Sequence, residues 1–122
     1  MYRITIEKSM DLVEVKLGGM MSVDEVVAYI NELRRQFVCH RLRSYRMVID
    51  VTEMPIQSQD MIRVMSQHMA EMPKAYAIAV VTGKSLARMQ IKRLFTQTYA
   101  RITATVAEGR AWVLQGVEPT IS

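Results

Sequence analysis

Seven consecutive residues, Ala75-Tyr76-Ala77-Ile78-Ala79-Val80-Val81, carry no charge and no polar alternation, and they stand between Pro73 and Gly83. A half-exposed strand would alternate, and a helix would need more length, so this run reads as a strand covered on both faces in the middle of a sheet. A strand of that kind requires an α/β fold, with helices packed against a largely parallel sheet. Arg46-Met47-Val48-Ile49-Asp50-Val51 has the same β-branched character and reads as its parallel neighbour.

The remaining elements fit around this pair. Tyr2, Ile4 and Ile6, then Val13, Val15 and Leu17, alternate with polar positions across Ser9-Met10-Asp11, which is the pattern of an antiparallel hairpin. After Gly18-Gly19, the Ser22-x-x-Glu25 spacing forms a capping box. The stripe Val23, Val26, Val27, Ile30, Leu33, Phe37 then predicts a helix ending near Cys39. Thr52 to Pro55 is loop. A second helix should run from Ser58 to Met72, where Pro73 stops it, and a third from Ser85 to about Tyr99. Ile102 to Val106 reads as a last strand and Ala107 to Leu114 as a closing helix. The expected order is β-β-α-β-α-β-α-β-α in a single mixed sheet, with residues 1–116 as one domain and 117–122 as a frayed tail.

At 122 residues, half of them apolar, the chain can bury one core. No apolar run approaches the roughly 20 residues of a membrane span, and the start lacks the apolar core of a signal peptide, so cytoplasmic residence is expected. The one cysteine, Cys39, offers neither a disulfide partner nor a thiolate pair for zinc. A net charge of +4 is mild.

The chemistry-bearing candidates are few. Thr82-Gly83-Lys84-Ser85 resembles the end of a phosphate-binding loop, but Ile78 stands where that loop needs its first glycine. What is left is a weak anion contact from Lys84, Arg88 and Lys92 on the third helix. His40 and His68 have no second histidine at a ligand spacing, so no metal site and no cofactor are expected. Ser58, Asp60 and His68 can be written as a nucleophile, acid and base. All three lie in one segment with no oxyanion turn, so no catalytic site is assigned. Asp50 at a strand end reads as a loop organiser. Arg34, Arg35, His40, Arg41, Arg43 and Arg46 cluster around the end of the first helix, but only Tyr45 is near them for base stacking, which argues against nucleic acid. Eleven methionines are unusual. Met65, Met69 and Met72 on the second helix suit either core packing or an adaptable surface for an apolar ligand.

The element order, with Val48-Ile49-Asp50-Val51-Thr52 leading through a short loop into a helix and a closing helix near Ala111-Trp112, resembles the STAS domains of anti-sigma-factor antagonists. It is most similar to the bacterial SpoIIAA-like (STAS/SEC14-type) proteins. That resemblance implies a non-enzymatic regulatory module that binds a protein partner through the loop and the start of the second helix, at Thr52, Met54, Ser58, Gln59, Asp60 and Met61. A second copy of the chain is one candidate partner. In the antagonists a serine at the helix start is phosphorylated. Gln59 occupies that position here, so the switch is not carried over. The related CRAL-TRIO-like comparison implies the alternative, a carrier or sensor of a small apolar, lipid-like molecule.

Overall fold

A computed structural model describes residues 1–83 and 87–120. It contains β1 (Tyr2–Glu7), β2 (Leu12–Gly18), α1 (Val23–Cys39), β3 (Arg46–Glu53), α2 (Gln59–Glu71), β4 (Ala77–Val81), α3 (Arg88–Leu94), β5 (Ala100–Thr103) and α4 (Val106–Gln115). One five-stranded sheet has the order β1-β2-β3-β4-β5. The β1–β2 pair is antiparallel and the other three pairs are parallel. The α/β class, the mixed sheet and the element order therefore agree with the expectation, and Ala77–Val81 is flanked by strands on both sides, while Ala75 and Tyr76 of the same run precede the strand and Tyr76 is exposed.

The topology explains the layers. From β2 to β5 each crossover moves one place in the same direction, and right-handed connections of that kind put their helices on one face. Val26, Tyr29, Ile30 and Leu33 of α1, Met61 and Met65 of α2 and Ile91 of α3 accordingly pack on Val13, Val15, Leu17, Met47, Ile49, Val51, Ile78 and Val80. Only α4 is free to close the opposite face. Its Val113 packs on Leu12, Val48, Ala79 and Val81, the other parity of the same strands. Beyond α4 that face is polar, with Arg3, Thr5, Glu14, Lys16 and Asp50 lining a shallow groove. Arg110 of α4 reaches across to Glu14 and Glu7.

The C-terminal third departs from the sequence reading. α3 ends at Leu94 instead of continuing to Tyr99, because Phe95 leaves helical geometry and it and Tyr99 turn onto the main core. The β-branched Thr96 and Thr98 resist this weakly, being poor helix formers. β5 comes two residues early, and Val106 opens α4 rather than closing the strand. The signal for α4 was available: Thr105-x-x-Glu108 has capping-box spacing, and the Thr105 hydroxyl accepts the Glu108 N–H at 3.1 Å, while the Glu108 carboxylate accepts from Thr120. The expected start of α3 at Lys84 and Ser85 lies outside the described residues. No described helix is long and apolar enough to cross a membrane.

Candidate functional site

The loops that follow β2, β3 and β4 gather at one end of the sheet, because parallel strands deliver their C-terminal ends together. The element that joins them is Gln57, which the sequence reading passed over. Its side chain is 6% exposed. Gln57 Oε1 accepts the Met21 N–H at 3.0 Å, and Nε2 donates to Pro55 O at 2.7 Å and Gly19 O at 3.1 Å. Its backbone completes the arrangement: the Gln57 N–H donates to Gln90 Oε1 at 2.9 Å, and Gln90 Nε2 donates back to Gln57 O at 3.1 Å. One buried amide thus ties the β2–α1 loop and the β3–α2 loop together, and a reciprocal amide pair adds α3. Nothing in the local sequence marks Gln57, since a loop glutamine ordinarily faces water.

Around this clasp three large apolar side chains are exposed: Met20 (62%), Ile56 (55%) and Met89 (62%). Each is the chain neighbour of a clasped residue, so the hydrogen bonds that fix the loops also hold the backbone of all three close to the clasp. Exposed apolar groups gathered around a fixed polar tie would suit a contact surface.

The residues expected to bind a partner divide. Thr52, Ser58, Gln59 and Asp60 are exposed. Met54 and Met61 are 5% and 3% exposed and point into the core, where they cannot present a surface in this form. The reason is helical phase: with Ser58 as N-cap, Met61 shares the inward face with Met65. β3 runs on to Glu53, past the expected loop start at Thr52, so Asp50 acts within the strand, its Oδ1 accepting both the Thr52 N–H at 3.0 Å and the Thr52 hydroxyl at 2.7 Å.

Ser58, Asp60 and His68 are not brought together. The Ser58 hydroxyl accepts the Met61 N–H as helix cap, and Asp60 pairs with Arg63. His68 lies ten residues along α2, about 15 Å from Ser58. The basic cluster is also partly spent, since Arg34 pairs with Glu71, Arg35 pairs with Glu32, and Arg46 donates to Met10 O. Of the anion candidates, Arg88 is half-buried, Lys92 is exposed and Lys84 is outside the described residues.

Beneath α2 lies a cavity of about 50 Å³ walled by Tyr29, Tyr45, Met65, His68, Met69, Met72, Gln97 and Tyr99, among others. A second of about 30 Å³ shares Ile49, Met65 and Phe95 with it and includes Met54 and Met61. Among the described residues, His68 Nδ1 and Gln97 Oε1 meet no hydrogen-bond partner. Size decides what such a space can take. At 10–15 Å³ per water, 50 Å³ admits roughly three or four waters, while a benzene-sized guest needs roughly 150 Å³.

Burial and the Arg34 guanidinium push the His68 imidazole down to about 4, against a smaller opposing pull from Glu71. The unfolded chain, near the ordinary 6.5, therefore takes up a proton that the folded chain resists. The contribution is complete above pH 6.5 and is lost as pH falls towards 4, with about 2 kcal/mol gone between pH 7 and pH 5. Urea titrations at the two pH values should show this drop. His68→Phe, which keeps the edge contact with Tyr29, should flatten it, and an unchanged slope in that variant would assign the pH dependence elsewhere.

The sequence matches no family model and no curated protein.

Proposed function

We propose that this chain is a non-enzymatic protein-interaction module of the SpoIIAA-like, STAS type, acting in the cytoplasm, whose contact surface is the clasped rim. The observation that carries this reading is the exposure of Met20, Ile56 and Met89 around Gln57. The exposed polar groups of Thr52, Ser58, Gln59 and Asp60 form the edge of the same surface. The partner is a protein that presents an apolar patch to the trio. The element order, with α4 last, supports the type. Ser58 caps α2 and Gln59 stands at the switch position of the antagonists, so their phospho-switch is not part of this reading.

A second reading, carriage of a small apolar molecule, draws on the methionine and tyrosine walls of the cavity. At its present volume that site excludes a lipid-sized guest unless α2 and α3 part.

Pull-downs with the intact chain and with Ile56→Asp combined with Met89→Asp distinguish the two. Both sites are exposed, so the variant should keep its circular dichroism and Tm. The proposed module loses at least tenfold in affinity for the proteins it retains as wild type. Equal retention by both forms would reject the rim. A small molecule that stays bound to both forms in native mass spectrometry would favour the carrier.

A further inference from the structure

The two edges of the sheet are built differently. β5 is four residues long, and its Arg101 donates to the carbonyls of Thr98 and Ala100 while holding Glu118 through two contacts of 2.9 Å. An arginine at a short edge is a usual way to prevent further strand pairing. β1, at the other edge, is six residues long and has no neighbour among the described residues except β2. Its register with β2 runs from Tyr2↔Leu17 to Glu7↔Leu12 without a bulge, and Tyr2–Glu7 contains no lysine and no proline. The charged residues it does carry, Arg3 and Glu7, have opposite signs, so they do not repel an antiparallel copy of the same strand.

The phase of its hydrogen bonds is fixed. Met1 and Gly18 exchange both N–H···O bonds, each at 2.9 Å, so by alternation Arg3, Thr5 and Glu7 bond inward to β2. Tyr2, Ile4 and Ile6 direct their backbone N–H and C=O groups outward. Their side chains lie on the α1 side against the main core, only half covered.

We infer that β1 pairs antiparallel with β1 of a second copy of this chain, about a two-fold axis at Thr5, joining two sheets into one of ten strands. Centred there, Ile4 faces the partner's Ile6 and Ile6 faces the partner's Ile4, so outward backbone groups meet outward backbone groups. Arg3 falls opposite the partner's Glu7, twice by symmetry, which places unlike charges across the strands. Shifting the axis to Ile4 sets Arg3 against threonine and removes both charge pairs. The charges therefore select the Thr5 register. The pairing is lateral, so it leaves the two rims free and pointing in opposite directions, and it stands whether or not the rim binds a protein.

Sedimentation velocity over a concentration series of the whole chain tests this. Wild type should shift to twice the chain mass, and Arg3→Glu, which opposes two carboxylates across each pair, should weaken association at least tenfold. Adding Glu7→Arg to Arg3→Glu should restore most of it, a rescue that neither change gives alone; because Glu7 also faces Arg110 at 3.6 Å, the Tm of each variant is read alongside. In a Cys39→Ser background, Thr5→Cys should form an intermolecular disulfide on oxidation, because directly opposed non-hydrogen-bonded residues have Cα atoms about 4.5 Å apart. A chain monomeric at every concentration would overturn the inference. So would association indifferent to Arg3→Glu, or failure of Thr5→Cys to cross-link.

Discussion

Gln57→Ala is expected to lower stability by about 3 kcal/mol in urea titration, a large change for a residue that sits in a loop. The substitution removes three side-chain hydrogen bonds, to Met21 N–H, Gly19 O and Pro55 O. A typical bond contributes about 1 kcal/mol net, and a buried donor or acceptor left without a partner costs about 1–3 kcal/mol. Met21 is itself 3% exposed, so its amide has little access to solvent. The comparison that isolates the side chain is Gln90→Ala. That variant removes only the two bonds of the reciprocal pair with the Gln57 backbone and should cost about 2 kcal/mol. If Gln57→Ala costs no more than Gln90→Ala, water has replaced the amide and the clasp is not what holds the rim. If the clasp does hold it, Gln57→Ala should also lose the rim's partner while the sheet persists. Binding and hydrogen exchange of the two loops would then change together.

Gly109→Val is expected to destabilise by about 3 kcal/mol, near the upper end for overpacking. Gly109 lies in the middle of α4, where a glycine costs about 1 kcal/mol relative to alanine, so its presence there needs a packing reason. A Cβ at this position would stand 3.1 Å from the Ala79 Cβ and 3.4 Å from both Thr103 Oγ1 and Val48 Cγ1. The helix lies almost directly on β4, and a branched side chain must lift it. Lifting α4 uncovers Leu12, Val48, Ala79 and Val81. It also disturbs Trp112, whose indole N–H donates to Tyr99 O and whose ring lies 4.3 Å beneath the Arg101 guanidinium. Trp112 is the only tryptophan in the chain. A red shift of its emission and a fall in Tm therefore report the same event. Gly109→Ala is the informative control: gained helix propensity and the 3.1 Å contact oppose each other, so its effect should be small. A well-tolerated valine would show that α4 has room to move on the sheet.

Legibility of the sequence tracked the range of the forces involved. The central strand at Ala77–Val81 follows from an unbroken apolar run, the hairpin and the amphipathic α1 and α2 follow from periodicity, and both serine caps sit three residues before the amides they accept from. Errors collected in the C-terminal third. There Phe95 and Tyr99 leave the helical path to reach a core formed by residues distant in sequence. At the rim, the polar loop residues were read correctly as exposed, but Met54 and Met61 were not recognisable as core, because the inward phase of α2 depends on where Ser58 caps it. Gln57, Gln90 and Tyr29 were not singled out at all, and Tyr45, considered only as a stacking aromatic beside the basic cluster, is 2% exposed. Glutamine carries no local mark of burial, and a tyrosine such as Tyr45 becomes interior only once its hydroxyl finds the Pro73 carbonyl, 2.6 Å away and 28 positions along the chain.

By itself, then, the sequence determined the class of this protein: runs of apolar residues with periods near two and near 3.6 demand strands and helices, and their order admits a parallel sheet with a leading hairpin. Those are local consequences of backbone geometry. Tertiary structure alone decided which face each helix covers, which methionines are interior, and which loops meet at the end of the sheet. It also decided that one edge is blunted by Arg101 while Tyr2–Glu7 is left open. Each of these depends on groups brought together from distant parts of the chain, as when a single amide at Gln57 satisfies Gly19, Met21 and Pro55 at once, and no local pattern records such a meeting.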